Sequence, residues 1–491
     1  MGADGGDANL RNIAGAPDAR TLEDACEGFH RRFPKLSAKK VLSWPQLAVL
    51  VVLGAALGWA IIQHPMLTWR IAGLAAFVLF AASILWRLFA AASLEPLPRK
   101  LFTPKPGEAW PIYTVLCPLH GEANVVFDLV AALKRIDYPS DAVDFVLLVE
   151  ADDPDTIAAA LAAAGGNVDV VIVPVALPRT KPKALNVGLQ RARGEYLVVY
   201  DAEDRPHPAQ LRAAVAAFRA GDDDLACLQA PLVIDNAGAS WISSQFAAEY
   251  AIQFREILPL LARLKLPLPL GGTSNHFRVD RLRALHGWDP YNVTEDADLG
   301  YRLARAGWRA DVIAPPTWEE APITLGAWLK QRVRWIKGHM QTWLILMRDP
   351  FGAAREMGPR AFASMHLVLG GGVAAALLHG PLAITILIAA IAPFNLLGLA
   401  GFILALFGYS VAVLGALTAS ALSGDLRHTR ASLTMPLYWP LATIAGLWAL
   451  WQLITRPHFW AKTKHGVSQR ARLPSFARVA PQRNADAQQV A

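Results

Sequence analysis

Four short stretches concentrate side chains able to do chemistry. In GEYLVVYDAEDRPHP, from Gly194 to Pro208, an apolar segment gives way abruptly to Asp201, Glu203 and Asp204. Carboxylates this close repel unless a cation lies among them or they cap the next helix. With Asp201 and Glu203 on one face, they offer oxygen ligands to a hard divalent ion; a polar turn before Pro206 and Pro208 is the plainer use. Upstream, VLLVEADDPDT sets Glu150, Asp152 and Asp153 at the mouth of another apolar segment. Such acids can hydrogen-bond a ribose or base, and Asp153 before Pro154 is equally suited to capping a helix. Lys181 and Lys183 precede a helix expected to begin near Ala184. Cations there oppose the helix dipole, which suits either a neighbouring phosphate or a solvated basic loop.

In YNVTEDADLGYRLAR, Glu295, Asp296 and Asp298 open a helix behind Thr294. Helix capping and the dipole favour that pattern, and a general base would occupy the same place. LGAWLKQRVRWIKGHMQTW interleaves Trp328, Trp335 and Trp343 with Lys330, Arg332, Arg334, Lys337 and His339. The pattern predicts an amphipathic helix suited to a membrane interface. Within it, Arg334 can grip a diphosphate and Trp335 offers a flat face to a sugar ring.

These stretches need a scaffold. Of 491 residues, 54% are hydrophobic and 18% charged, which excludes a wholly soluble protein. A formal charge of +7 suits anionic lipid or anionic substrates. Cys26, Cys117 and Cys227 are scattered, so neither a disulfide framework nor a structural zinc site is implied. Residues 1–40 are polar and are expected to be disordered, with no cleavable leader, since the first apolar run begins near residue 44. Residues 41–93 read as a transmembrane hairpin, its runs 42–62 and 69–92 each long enough for a core of roughly 30 Å. Lys and Arg flank both open ends, which predicts that both face the cytoplasm.

Residues 94–323 alternate short β-branched runs with helical stretches, the pattern of an α/β domain with a parallel sheet whose ligands lie beyond the carboxyl ends of the strands. Residues 324–348 form the amphipathic helix, and 362–456 a second membrane bundle with spans near 362–379, 380–395, 397–421 and 434–455. With four spans, the loop SGDLRHTR would face outward carrying two arginines, against the charge bias, unless it starts an interfacial helix. Residues 457–491 form a basic tail, disordered from 467.

Taken together, these stretches resemble the membrane-bound, inverting family 2 glycosyltransferases, the group of cellulose, chitin and hyaluronan synthases, over roughly residues 95–460. Pro118 to Glu122, with Glu150 and Asp152, is similar to the nucleotide end; DAED to the DxD metal motif; TED to the catalytic-base motif; QRVRW to QxxRW. The resemblance implies a Rossmann-like, GT-A type cytoplasmic domain inserted between transmembrane helices, in a multi-pass protein of the cell (inner) membrane. It implies that Glu150, Asp152, Lys183, Asp201 and Arg334 bind the UDP-sugar donor, that Asp201 and Glu203 hold Mg2+ or Mn2+, and that Asp296, beside Glu295, is the catalytic base. Gly272, Thr273 and His276 of GGTSNHFR, with Gln331 and Trp335, would shape the acceptor site. Glu203 stands where the family usually has Asp, so Asp204 competes for the metal, and Ala151 leaves open which acid touches the base. No cyclic-di-GMP domain is expected, since a short tail follows the last span.

The implied function is processive β-linked polymer synthesis, with glucose the first-choice sugar and N-acetylglucosamine the second. Partners would be the growing glycan, membrane lipid and envelope export subunits, and no nucleic acid. The rivals are a single-addition enzyme acting on a lipid-linked acceptor and a catalytically silent scaffold.

Overall fold

The computed structural model describes residues 13–14, 17–389, 396–423, 429–460, 462, 466 and 468. The strands in chain order are β1 (Ile13–Ala14), β2 (Tyr113–Leu119), β3 (Val143–Glu150), β4 (Val168–Val173), β5 (Tyr196–Val199), β6 (Arg205–Pro206), β7 (Leu225–Gln229), β8 (Leu232–Ile234), β9 (Asn275–Arg278), β10 (Arg309–Val312) and β11 (Thr317–Glu319). Eight of them form one sheet in the order β1-β4-β3-β2-β5-β9-β7-β10, and β6, β11 and β8 form a small second sheet. The continuous apolar runs become the middle of the large sheet because helices cover both its faces; Leu147 and Leu148, pointing opposite ways, are both buried.

Every pairing in the large sheet is parallel except those of β9, which runs against β5 and β7. That reversal matters for the site. Asn275, the first residue of β9, sits opposite Val199 and Gln229, the last residues of β5 and β7. The loop that enters β9 therefore lies at the same edge as the carboxyl ends of its parallel neighbours.

The helices used below are α1 (Trp44–Gln63), α2 (Pro65–Ala92), α3 (Lys181–Arg191), α4 (Glu295–Arg305), α5 (Leu325–Leu346), α6 (Gly371–Ala389), α7 (Leu396–Ser423) and α8 (Leu441–Thr455). A reciprocal Ser43–Gln46 capping box starts α1. Trp59 and Ile62 on α1 are 67% and 76% exposed in the isolated chain, and lipid is the medium that suits such a surface. Among the described residues, five helices are by length and composition able to cross a membrane: α1, α2, Pro359–Ile384, Leu399–Ala421 and Met435–Thr455.

Three expectations change. The separate spans at 362–379 and 380–395 are one helix, running from Pro359 through the turn His366–Gly370 into α6. Pro381 lies inside α6 without ending it, because neighbouring helices in an apolar bundle can satisfy the freed backbone; residues 390–395 lie outside the described ones. Second, residues 17–40 are folded, not disordered. Ala25, Cys26, Phe29 and Ala38 are buried, Asn186 donates to the Ala25 carbonyl at 3.1 Å, and Asp289 accepts from the Ser37 hydroxyl and the Ala38 N–H. The short polar segment lacked helical periodicity but carried enough apolar side chains to dock. Third, α5 is buried on two sides. Trp328 and Lys337 are inaccessible, and Lys337 donates to Gln452 Oε1 and the carbonyls of Arg456 and Phe459. Lys337 and Trp328, through Gln452 and the Tyr438 hydroxyl, tie α5 to α8 and the residues before α8, while Lys330 stays exposed. Most of the basic tail, like residues 424–428 of the arginine loop, lies outside the described residues; Thr429–Ser432 is helical.

Candidate active site

The carboxyl edge gathers most of the chemistry-bearing residues into one wall. Glu150 ends β3, Asp201 follows β5 by two residues, and Lys181 is the first residue of α3. Gly272 and Thr273 arrive through the reversed β9, and Glu295 and Asp296 open α4. Gln331, Arg334 and Trp335 share one face of α5 through their i, i+3, i+4 spacing. All of these, with Glu203, line a cavity of about 1660 Å³.

The tightest convergence is over Gly272. A side chain there would place its Cβ 3.3 Å from Asp296 Oδ2, 3.9 Å from Asp201 Oδ2 and 4.0 Å from Lys181 Nζ. Lys181 bonds Asp201 Oδ1 and donates to the Gly272 carbonyl at 2.7 Å. Burial works against its ammonium, but the charges of Asp201, Glu295 and Asp296 outweigh that and raise its pKa. Burial pushes up the carboxyl groups of both Glu295 and Asp296; the charge of Asp296 adds to the rise at Glu295, while the Ala297 N–H, Lys181 and Arg334 pull Asp296 back. Thr294 makes no side-chain capping bond, and Asp296 Oδ1 accepts from the Ala297 N–H at 2.7 Å. Its Oδ2 is the oxygen turned toward Gly272.

The DAED stretch divides its labour. Asp201 and Glu203 face the cavity. Asp204 is fully buried and accepts from the Asp201 N–H at 2.7 Å and from the Thr273 hydroxyl; burial first, and then the charges of Asp201 and Glu203, push its carboxyl well above the usual carboxylate range. It shapes the turn and leaves the cavity to Asp201 and Glu203.

Three expected site residues sit elsewhere. Lys183 is fully buried on Glu150 at 2.7 Å and away from the cavity, while Lys181 faces it. TKPK held that signal: Pro182 marks the first helical turn, so Lys181 stands at its open end and Lys183 turns inward against the sheet. Asp152 lies outside the cavity wall and pairs with Arg179, which lines it. His276 alternates to the far side of β9, between the Tyr113 hydroxyl at 2.6 Å and Gln210 at 3.2 Å; burial drops its pKa to about 3. It is a core residue and not an acceptor ligand. Asp153 caps the helix Pro154–Ala163 through the Thr156 N–H at 3.2 Å.

Sequence reasoning missed Glu249, Glu319, Glu320 and Arg332 in the wall. Arg332 pairs with Glu249 and lies 4.9 Å over Trp335, so it fixes the indole. Its place beside Arg334 in QRVRW was visible, but its partner 83 positions away was not. Trp335 also packs on Phe246 and Tyr250, at 5.7 and 6.3 Å.

Acids, cations and an anchored indole thus line one strand-end edge that opens between apolar helices. Residues 196–460 match the glycosyl transferase family group 2, and the chain belongs to that family. The family resemblance read from the motifs is thereby borne out. The beta-monoglucosyldiacylglycerol synthase of Synechocystis sp. is 25% identical over 58% of this chain and 63% of its own. The poly-beta-1,6-N-acetyl-D-glucosamine synthase of Staphylococcus aureus is 24% identical over 49% and 57%. The chain thus spans less than two-thirds of the length of either relative. A mannosyltransferase from Pyrobaculum calidifontis, solved with GDP-Man and Mn2+, superimposes with a TM-score of 0.49 over 77% of this chain and 97% of that one, at 22% identity.

Proposed function

We propose that this protein is an inverting membrane β-glycosyltransferase that moves a sugar from a UDP-sugar to a hydroxyl acceptor held in the cavity, and that it extends a glycan processively. The observation that carries the reading is the convergence of Asp296, Asp201 and Lys181 over Gly272 at one end of a cavity whose other end is walled by α2, α6 and α7. In the transfer, the acceptor oxygen attacks the anomeric carbon and its proton passes to Asp296 Oδ2. The bond from that carbon to the diphosphate breaks on the opposite face, and its electron pair leaves on the diphosphate. One such displacement turns an α-linked donor into a β-linked product.

Lys181 and Arg334 bring positive charge to the departing diphosphate. Glu150, oriented by Lys183, faces the uridine side, and Asp152 steadies Arg179 there. Asp201 and Glu203 offer the one or two carboxylates that Mg2+ or Mn2+ uses beside substrate phosphates. Among the described residues no cluster of three His, Cys, Asp or Glu is present, so Asp201 and Glu203 are the protein groups that would hold the ion. When bound, such an ion neutralises leaving-group charge. Trp335, held by Arg332, provides the stacking face for the acceptor ring.

Glucose is the first-choice sugar and N-acetylglucosamine the second. Single addition to a lipid acceptor is the second reading. The apolar cavity wall of Phe77, Phe80, Leu382 and Leu404 supports it, as does the lipid product named for the Synechocystis relative. The test is UDP release and product sizing in nanodiscs with a panel of UDP-glucose, UDP-N-acetylglucosamine, UDP-galactose and GDP-mannose. The proposal expects a UDP-sugar to be used, EDTA to abolish release, Mn2+ or Mg2+ to restore it, and products many sugars long. Products one sugar long in the lipid extract would move the reading to single addition, and no release from any donor would refute both.

A further inference from the structure

The cavity carries a second polar cluster that the transfer chemistry does not use. Arg87 of α2 lies 5.0 Å over the ring of Trp439. His379 of α6 and Tyr409 of α7 pack on the same indole, at 5.3 and 5.8 Å. All four residues and Trp86 line the cavity. Among the described residues, His379 Nδ1, the Tyr409 hydroxyl and Trp86 Nε1 are buried without a hydrogen-bond partner. The contact found for the Arg87 guanidinium is the indole face. The carboxylates that act on it through space are committed elsewhere, Glu249 to Arg332 and the Tyr438 hydroxyl and Glu256 to the Thr418 hydroxyl.

An unpaired cation and orphaned polar groups at this depth are costly, and their convergence calls for a ligand. The cluster offers a fixed cation and several donors but no carboxylate. A neutral sugar hydroxyl would need acceptors as well; a phosphate oxyanion needs only donors and takes an Arg fork bidentately. Depth narrows the source. Arg87 lies five residues before the end of α2 at Ala92, about 8 Å along the axis, near the level where lipid phosphates meet the hydrocarbon on the catalytic domain's side. We infer that Arg87, His379 and Tyr409 form a subsite for the phosphate of a membrane lipid that enters the cavity and carries the acceptor. Its role as acceptor carrier rests on the transferase reading; the phosphate subsite itself rests on the orphaned donors.

The test uses the full chain in detergent, with binding followed by native mass spectrometry. The probes are short-chain phosphatidic acid, the diacylglycerol of equal chain length, inorganic phosphate and, in parallel, UDP. Phosphatidic acid should bind roughly tenfold or more tightly than diacylglycerol. Arg87→Gln should remove most of that difference and leave UDP binding as it was, and Arg87→Lys should keep part of it. Should Arg87→Gln fail to fold, the double variant His379→Ala/Tyr409→Phe carries the same expectation. Equal binding of the two lipids, or variants that hold phosphatidic acid like the wild type, would overturn the subsite. Inorganic phosphate binding as tightly as phosphatidic acid would overturn the lipid assignment. Phosphatidic acid bound as expected in a protein that ignores UDP would uphold the subsite and defeat the transferase reading.

Discussion

Lys181 and Asp296 meet the same point above Gly272 from two elements, and their charges are coupled. Because burial raises the Glu295–Asp296 pair, its basic form is lost as pH falls through a range above that of ordinary carboxylates. The acid limb of the rate at saturating donor should therefore lie at higher pH than an ordinary carboxylate would give. Lys181 pulls both groups down, so Lys181→Met should move that limb to still higher pH, and an unmoved limb would remove Lys181 from the site. Lys183→Ala should act differently, leaving Glu150 buried without its partner and costing on the order of 3 kcal/mol of stability in a melting experiment. At this scale the motif acids were legible because residue type announces charge. Which side of the backbone each occupies was not: His276 and Asp204 are buried by strand alternation and a tight turn, and no residue type encodes that.

Two elements place the base. The reversal of β9 delivers Gly272 beside Asp201, and the close approach of α5 to the TED turn fixes α4. Gly338 on α5 makes that approach possible, since a Cβ there would overlap the Thr294 side chain. Gly338→Ala should push α5 from the turn and lower transfer on the order of tenfold to a hundredfold with no functional group removed; unchanged turnover would show that the spacing is not needed. The parallel strands were readable from continuous β-branched runs. The antiparallel β9 was not, because four residues carry no direction, and neither was the burial of α5, because amphipathicity does not say whether water or protein meets the polar face.

At the scale of the whole molecule, contacts at both ends tie α8 to its neighbours. Trp241 Nε1 donates to Thr434 Oγ1 at 2.8 Å just before it, and Lys337 and Gln341 hold Arg456, Pro457 and Phe459 just after it. Its two ends therefore touch Trp241 of the catalytic domain and α5. With Met435–Tyr438 ahead of it, α8 belongs to a run of 21 residues, Met435–Thr455, long and apolar enough to cross a membrane. If α1, α2, the Pro359–Ile384 helix and α7 each cross, the arginine loop would return to the catalytic side, in keeping with the charge bias. Cysteines introduced at Asp222 and Arg430 should both resist an impermeant reagent in intact cells and react after lysis; labelling of either in intact cells would invert the arrangement. Span number was hard to read because a long apolar helix interrupted by Pro381 looks like two.

The central claim is that Asp296 takes the acceptor's proton at the head of this cavity. It is tested by following labelled sugar from its UDP donor into product, with wild-type protein and Asp296→Asn in identical nanodiscs and UDP affinity measured alongside. Asn preserves the size of the side chain and its acceptor for the Ala297 N–H but not its basicity. The account predicts roughly a 10²–10⁴-fold loss of transfer with UDP affinity unchanged. An Asp296→Asn protein that transfers sugar at the wild-type rate would contradict it.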